Sequence, residues 1–309
     1  MPNMKAVRIL AYGGPEVLIH EDVPRPAPGP GEVLVRVHAA SINPVDWKIR
    51  AGYMKEYIPL SLPAILGLDI SGIVESVGPG VKSFKAGDEV YAMNDPLKCG
   101  AYAEYLSIPE SILAPKPRSV DHLKAAALPL AGLTAWHALL EFGGVKPGRK
   151  VLIHGAAGGV GSFAVQIAKA LGATVIGTAQ TRNLSLLKEL GADQAIDYTA
   201  GPFEKEASEV DLVIDTVGGE TERRSWGVLK KGGVLASTVS QAAAPYPGVT
   251  GKYVANRPNA EGLRELAKLV DAGKLRPIVE TVLPLSETRK GHELSQTGHV
   301  RGKIVLRTI

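Results

Sequence analysis

Residues 151–173 read VLIHGAAGGVGSFAVQIAKALGA: an apolar run, a cluster of glycines and a helical period follow one another without a gap. Gly155, Gly158, Gly159 and Gly161 strip four side chains from the mouth of a helix, where backbone N–H groups have no partner of their own. Bare, positively polarised backbone of this kind binds phosphate. Gly158 would let a pyrophosphate approach, Gly161 would let helix and strand pack closely, and the free amides at the helix start, around Gly159 and Val160, would meet the charge. The first position of the G-x-G-x-x-G pattern is Ala156, with Gly155 just ahead of it, so the motif is a variant. Taken alone, the glycines fit a tight β-to-α turn equally well.

The next strand separates the two readings. A unit that binds NAD places an acid about 20 residues further on, to accept from the ribose hydroxyls. Here that strand ends VIGTAQTRN, so Gly177, Thr178, Ala179 and Gln180 fill the region and Arg182 follows. A guanidinium can pair with a 2′-phosphate, and one charge-assisted contact of about 1.5–3 kcal/mol corresponds to an about ten- to hundredfold preference. The pattern predicts NADP(H). An exposed arginine without a contact is the competing account of Arg182.

These residues need a scaffold, and the chain supplies one. With 309 residues, 45% of them hydrophobic, it is long enough for two ordinary domains. From Lys5 to about Pro117, short β-rich runs such as EVLVRVHAAS and DISGIVESVG alternate with Gly and Pro. Beyond that, KVLIHG, TVIGTA, QAIDY, VDLVIDTVG and GVLAST alternate with helical segments, which predicts a doubly wound parallel sheet of the α/β class. NAEGLRELAKLVDAGKL reads as an amphipathic helix, and GKIVLRTI as a closing strand that returns to the β-rich domain, making that domain discontinuous. The expected division is 1–120, 121–260 and 261–309.

Composition excludes several classes. A net charge of +4, with no block of basic residues, leaves no footprint for nucleic acid. Cys99 is the only cysteine, so a disulfide or multi-cysteine zinc site within the chain is ruled out and a reducing cytoplasm is expected. MPNMKAVRILAYGG lacks the apolar core of a signal peptide, and no run reaches a membrane span.

HAASINPVDWKIRAGY, GLDISGIVESVGPGV, GDEVYAM, ALPLAGLTAWHAL, VLIHGAAGGVG, LGADQAIDY and GHVRGKIVL together resemble the medium-chain dehydrogenase/reductase superfamily. More narrowly the chain is similar, end to end, to its zinc-free quinone oxidoreductases and alkenal or enone reductases. The resemblance implies a GroES-like domain, a Rossmann domain, an active site in the cleft between them, a homodimer and a small quinone or enone as substrate. Zinc-dependent relatives carry a cysteine where this chain has Asn43 and Gly-His-Glu where it has Gly67-Leu68-Asp69. Both zinc sites are therefore expected to be missing.

The resemblance also implies roles for single residues. Asn43 would sit beside the nicotinamide and the substrate carbonyl, although Asn43, Pro44 and Asp46 also read as a simple helix start. Lys48 would face the cofactor cleft, and Tyr53 the substrate, as a candidate proton donor. Thr134 would meet the nicotinamide, and Tyr198 the adenosine phosphate beside Arg182. Val217, Gly218 and Ser237 fall at the ends of later parallel strands, where ligands lie in such sheets. His137, His154 and His299 form no constellation by spacing and read as structural. The expected activity is NADPH-dependent reduction of quinones or of the C=C bond of enones. A catalytically weak NADPH-binding protein and an enoyl-thioester reductase are the alternatives.

Overall fold

The computed structural model describes residues 2–245 and 247–309. In chain order these form β1 (Asn3–Ile9), β2 (Ile19–Pro24), β3 (Glu32–Ile42), α1 (Pro44–Arg50), β4 (Ala64–Ile65), β5 (Asp69–Val77), β6 (Glu89–Met93), β7 (Tyr105–Pro109), β8 (Ala114–Pro115), α2 (His122–Ala126) and α3 (Pro129–Trp136). There follow β9 (Lys150–Ile153), α4 (Gly159–Ala170), β10 (Thr174–Ala179), α5 (Leu184–Glu189), β11 (Gln194–Asp197), β12 (Val210–Asp215), α6 (Gly219–Ser225), β13 (Leu229–Ser237) and β14 (Thr250–Tyr253). The last elements are α7 (Ala260–Asp271), β15 (Val279–Pro284), α8 (Thr288–Gln296) and β16 (Lys303–Arg307). The first of two compact units runs to Leu130 and takes back Arg257–Ala272 and Pro277–Ile309; the second comprises Ala131–Asn256 and Gly273–Arg276.

The first unit is the β-rich, GroES-like one. Its larger sheet runs β15-β16-β3-β5-β6-β8, with β7 also on β3, and β2-β1-β4 form a smaller sheet. β3 lies at the centre and is buried along most of its length, so EVLVRVHAASI reads as a nearly continuous apolar run rather than an alternating one. The closing strand does return: β16 pairs antiparallel with β3, Ile304 opposite Ile42 and Leu306 opposite Ala40. Val33, Val35, Val37, Ile70, Ile108 and Leu306 belong to one core. The first boundary falls within α3, later than the change of sequence texture, because α2 packs on β3 and β5.

The second unit carries a parallel sheet of order β11-β10-β9-β12-β13-β14. Its first strand, β9, is central, and the chain winds outward to β11 before returning to β12. The order therefore reverses beside β9, which is the Rossmann arrangement with its ligand crevice at the carboxyl ends of β9 and β12. α4 is buried on all sides through its middle, from Gly161 to Ala168. Part of the reason is the short return Gly273–Arg276, where Gln166 donates to the Arg276 carbonyl at 3.1 Å and accepts from its amide at 2.8 Å. α6 ends at Ser225, where the chain tightens over Trp226–Val228 before β13 begins at Leu229.

Candidate functional site

In the second unit the glycine turn is built by exclusion. Gly155 adopts φ +62°, where a Cβ would also sit 2.5 Å from Thr216 Oγ1. A Cβ on Gly161 would run into the Gly155 carbonyl and lie 2.7 Å from the Ala156 Cα, so only glycine lets α4 start this close to β9. The variant first position has a local explanation. Ala156 is fully buried, and its methyl uses space that Gly177 leaves, because a Cβ on Gly177 would come 3.0 Å from it and 2.8 Å from Leu187. Gly158 caps α4, and beyond it the amides of Gly159, Val160 and Gly161 lie in the first turn, where no intrahelical acceptor exists. The cradle fits a pyrophosphate.

The ends of the neighbouring strands complete this half. Thr178 is buried; its carbonyl accepts from the Ala156 amide at 3.0 Å and its hydroxyl lies 3.1 Å from His154 Nδ1. Arg182 is exposed in the turn Thr181–Asn183, and Tyr198, 47% exposed, follows β11. Between them Asp197 accepts from Thr181 Oγ1 at 2.5 Å and Thr199 Oγ1 at 2.6 Å. Val217 is exposed and Gly218 sits at φ +78°. Ser237 is buried, donating to Asp215 Oδ2 at 3.0 Å. Thr134 is buried in α3, which continues as a π-helical turn over His137–Phe142.

Asp215 is the residue here that sequence reasoning missed. It is fully buried, and its Oδ1 accepts from the amides of Val217 at 3.0 Å and Gly218 at 2.9 Å while Oδ2 takes Ser237. One carboxylate thus sets the turn after β12 and the end of β13 together. An acid closing the apolar run VDLVID was the available signal.

In the first unit, Asn43, Lys48 and Tyr53 lie on or beside α1. Asn43 occupies the N-cap position and is 1% exposed. Its amide donates to Asp46 Oδ2 at 2.7 Å, but its side chain turns elsewhere: Nδ2 donates to Asp69 Oδ2 at 2.9 Å and Oδ1 accepts from the Lys303 ammonium. Lys48 is half-buried with Nζ 5.7 Å from the Trp47 ring, and Tyr53, 73% exposed, meets the same ring edge-on at 6.2 Å.

Around Asn43 lies a buried polar network that no local motif announces. Asp69 also accepts from Ser41 Oγ at 2.8 Å and the Leu130 amide at 2.9 Å; Lys303 also donates to the Ile42 carbonyl at 3.1 Å. Burial raises the Asp69 pKa and lowers that of Lys303, while each charge opposes the other's shift. On the other side Arg50 Nη1 lies 3.3 Å from His292 Nδ1, His292 Nε2 3.3 Å from Tyr102 Oη, and Tyr102 donates to Asp46 at 2.7 Å. Arginine can only donate, so the chain runs one way, from guanidinium through imidazole and phenol to carboxylate. Burial pushes Asp46 up to about 7, against the pull of these donors.

Two family models match stretches of the chain. Residues 29–118 match the model described as Alcohol dehydrogenase GroES-like domain, and residues 190–306 the one described as Zinc-binding dehydrogenase. The chain is 39% identical, over 99% of its length and 80% of the relative's, to the 2-methylene-furan-3-one reductase of Solanum lycopersicum. It is 37% identical, over 98% of its length and 79% of the relative's, to the chloroplastic NADPH-dependent alkenal/one oxidoreductase of Arabidopsis thaliana. Among solved structures, the quinone oxidoreductase from Coxiella burnetii is similar with a TM-score of 0.93 and 39% identity, each chain covered over 100% of its length.

Proposed function

Since the chain belongs to the medium-chain dehydrogenase/reductase superfamily, in its branch of quinone oxidoreductases and enone reductases, and is an oxidoreductase of small molecules with a nicotinamide cofactor, we propose that it reduces quinones or α,β-unsaturated carbonyls with NADPH and without zinc. The observation that carries this reading is Asn43, a buried amide tied to a carboxylate and an ammonium at the position where zinc-dependent relatives carry a thiolate. Leu68 offers no metal ligand, and among the described residues no group of three or more His, Cys, Asp or Glu side chains is gathered to hold one.

The bound cofactor supplies the hydride. The amides of Gly159, Val160 and Gly161 hold its pyrophosphate in this reading; Gly158, whose own amide donates to the Gly155 carbonyl at 2.9 Å, lets it approach, with Gly155 and Ala156 shaping the turn. Arg182 and Tyr198 take the 2′-phosphate, and the nearby Asp197 carboxylate is engaged by the Thr181 and Thr199 hydroxyls. Thr178 supports the turn from below, and Thr134, Val217, Gly218 and Ser237 accompany the nicotinamide half. Asn43 and Lys48 donate to the acceptor's carbonyl oxygen, where negative charge gathers as hydride reaches the β-carbon. Tyr53, or water beside it, returns the proton to the α-carbon.

Assembly as a homodimer in a reducing, cytoplasmic compartment belongs to the same reading. The buried thiol of Cys99, its pKa pushed up to about 12, suits a chain that uses no cysteine chemistry, and no helix among the described residues is long and apolar enough to cross a membrane.

The test is anaerobic NADPH oxidation by chelator-treated protein with a naphthoquinone and a trans-2-alkenal side by side, and NADH as control. Turnover of either acceptor with a preference for NADPH supports the reading. Tight NADPH binding with neither acceptor turned over would favour a binding protein instead.

A further inference from the structure

The side-chain amide of Asn43 has only one orientation open to it. Its oxygen meets the Lys303 ammonium and its nitrogen meets Asp69, which already accepts from Ser41 and the Leu130 amide. An ammonium only donates and a carboxylate so surrounded only accepts, so turning the amide over would set N–H against N–H and oxygen against oxygen. All three residues are at most 3% exposed, so the low local dielectric makes that mismatch costly. The backbone is held as firmly, through the Asn43 amide on Asp46. Asp69 takes one of the two Nδ2 hydrogens; the second remains.

We propose that Lys303 and Asp69 are positioning residues for the reduction: they fix Asn43 so that its second N–H is presented, and the ammonium on Oδ1 draws electron density from the amide and strengthens that N–H as a donor to the developing oxyanion. This rests on the reading that Asn43 meets the acceptor's carbonyl oxygen. Lys303 comes from β16, at the far end of the chain, so the returning strand delivers a functional charge as well as a sheet edge.

A double-mutant cycle tests it, with kcat, acceptor KM and NADPH Kd measured for Asn43→Ala, Lys303→Met and the two combined. Each single change should lower kcat by about tenfold or more, leave NADPH Kd within about twofold, and the combination should be no slower than Asn43→Ala alone. Lys303→Met strands a buried carboxylate, so Asp69→Asn with Lys303→Met, which removes both charges together, is measured in parallel, with circular dichroism as the check on folding. That pair should show the same loss of kcat at unchanged NADPH Kd. Full kcat in either Lys303 variant, or effects that multiply with Asn43→Ala, would overturn the positioning role alone. Full kcat in Asn43→Ala would overturn the assignment of Asn43, and with it the premise.

Discussion

The hydroxyl of Thr178 donates to His154 Nδ1 across 3.1 Å, a direction set from the far side of the ring. Burial holds the His154 pKa down to about 4, so the ring is neutral; Ser225 Oγ donates to the Thr221 carbonyl at 2.6 Å and so accepts from Nε2 at 2.9 Å, which leaves Nδ1 as the acceptor. The single proton of the neutral ring thus sits on Nε2. A histidine that spacing marks as merely structural joins the end of β10 to α6 beneath the glycine turn.

A pH dependence of stability comes with that state. Unfolded, the imidazole takes a proton near its ordinary 6.5, whereas in the native chain it does so only near 4, so between these values the unfolded chain binds more proton and stability falls as pH drops. His122, held at about 4, and His292, at about 3, act in the same sense, while the raised pKa of Asp46 acts against them. Thermal midpoints measured from pH 7 to 4.5 should decline, and His154→Gln should flatten the slope. An unchanged slope in that variant would show that burial does not depress the His154 pKa in the native state.

Gly161→Ala should cost about 1–3 kcal/mol of stability, since the new methyl meets backbone that cannot give way. NADPH binding, followed by fluorescence titration, should weaken at least tenfold. Gly158→Ala, whose Cβ would meet only the Gly155 carbonyl at 3.2 Å, should be milder in stability. Equal stability losses for the two would contradict the packing described for Gly161.

Arg182→Ala should weaken NADPH by about ten- to hundredfold and leave NADH nearly unchanged, as loss of one charge-assisted contact requires. Equal losses for both cofactors, or none, would remove Arg182 from the account of cofactor choice. Arg182 is exposed, so thermal stability should stay within about 0.5 kcal/mol.

Tyr53→Phe removes a hydroxyl from a side chain 73% exposed, so the fold should be untouched. If the phenol supplies the proton, alkenal turnover should fall by about a hundredfold while quinone turnover changes less. Unchanged alkenal turnover would assign the proton to water.

Asp215→Ala leaves the amides of Val217 and Gly218 and the Ser237 hydroxyl without their shared acceptor, a loss of about 1–3 kcal/mol for each buried group left unpaired. Calorimetry should show a lowered midpoint, and NADPH titration a raised Kd. Wild-type values in both would mean that water replaces the carboxylate.

Much of this was legible in the chain. The order of strand, glycines and helix, the alternation after Pro117 and the closing strand GKIVLRTI all carry local signals, because hydrophobic period and turn chemistry are local. The network around Asn43 carries none. Asn43 and Lys303 stand 260 positions apart, and nothing in either neighbourhood marks a polar residue for burial. α8 escaped for a related reason: the residues it buries are Thr288, Gly291 and His292, so no apolar period betrays it. Gly177 was visible as a glycine, but the methyl of Ala156 that requires it belongs to the turn after β9.

The return of β16 to β3 also orders events in time. A ribosome that has reached Arg301 has already made Asn43 and Asp69, yet the ammonium that belongs between them is still to come. Until Lys303 emerges, β3 has β5 on one side but lacks β16 on the other along Ala39–Ile42, and a buried carboxylate awaits its cation. The glycine turn, by contrast, is complete in sequence once α6 has followed β12. The nascent chain thus holds every residue of the glycine turn well before it holds the cation of Asn43, and α4 in turn waits for Arg276 to meet Gln166.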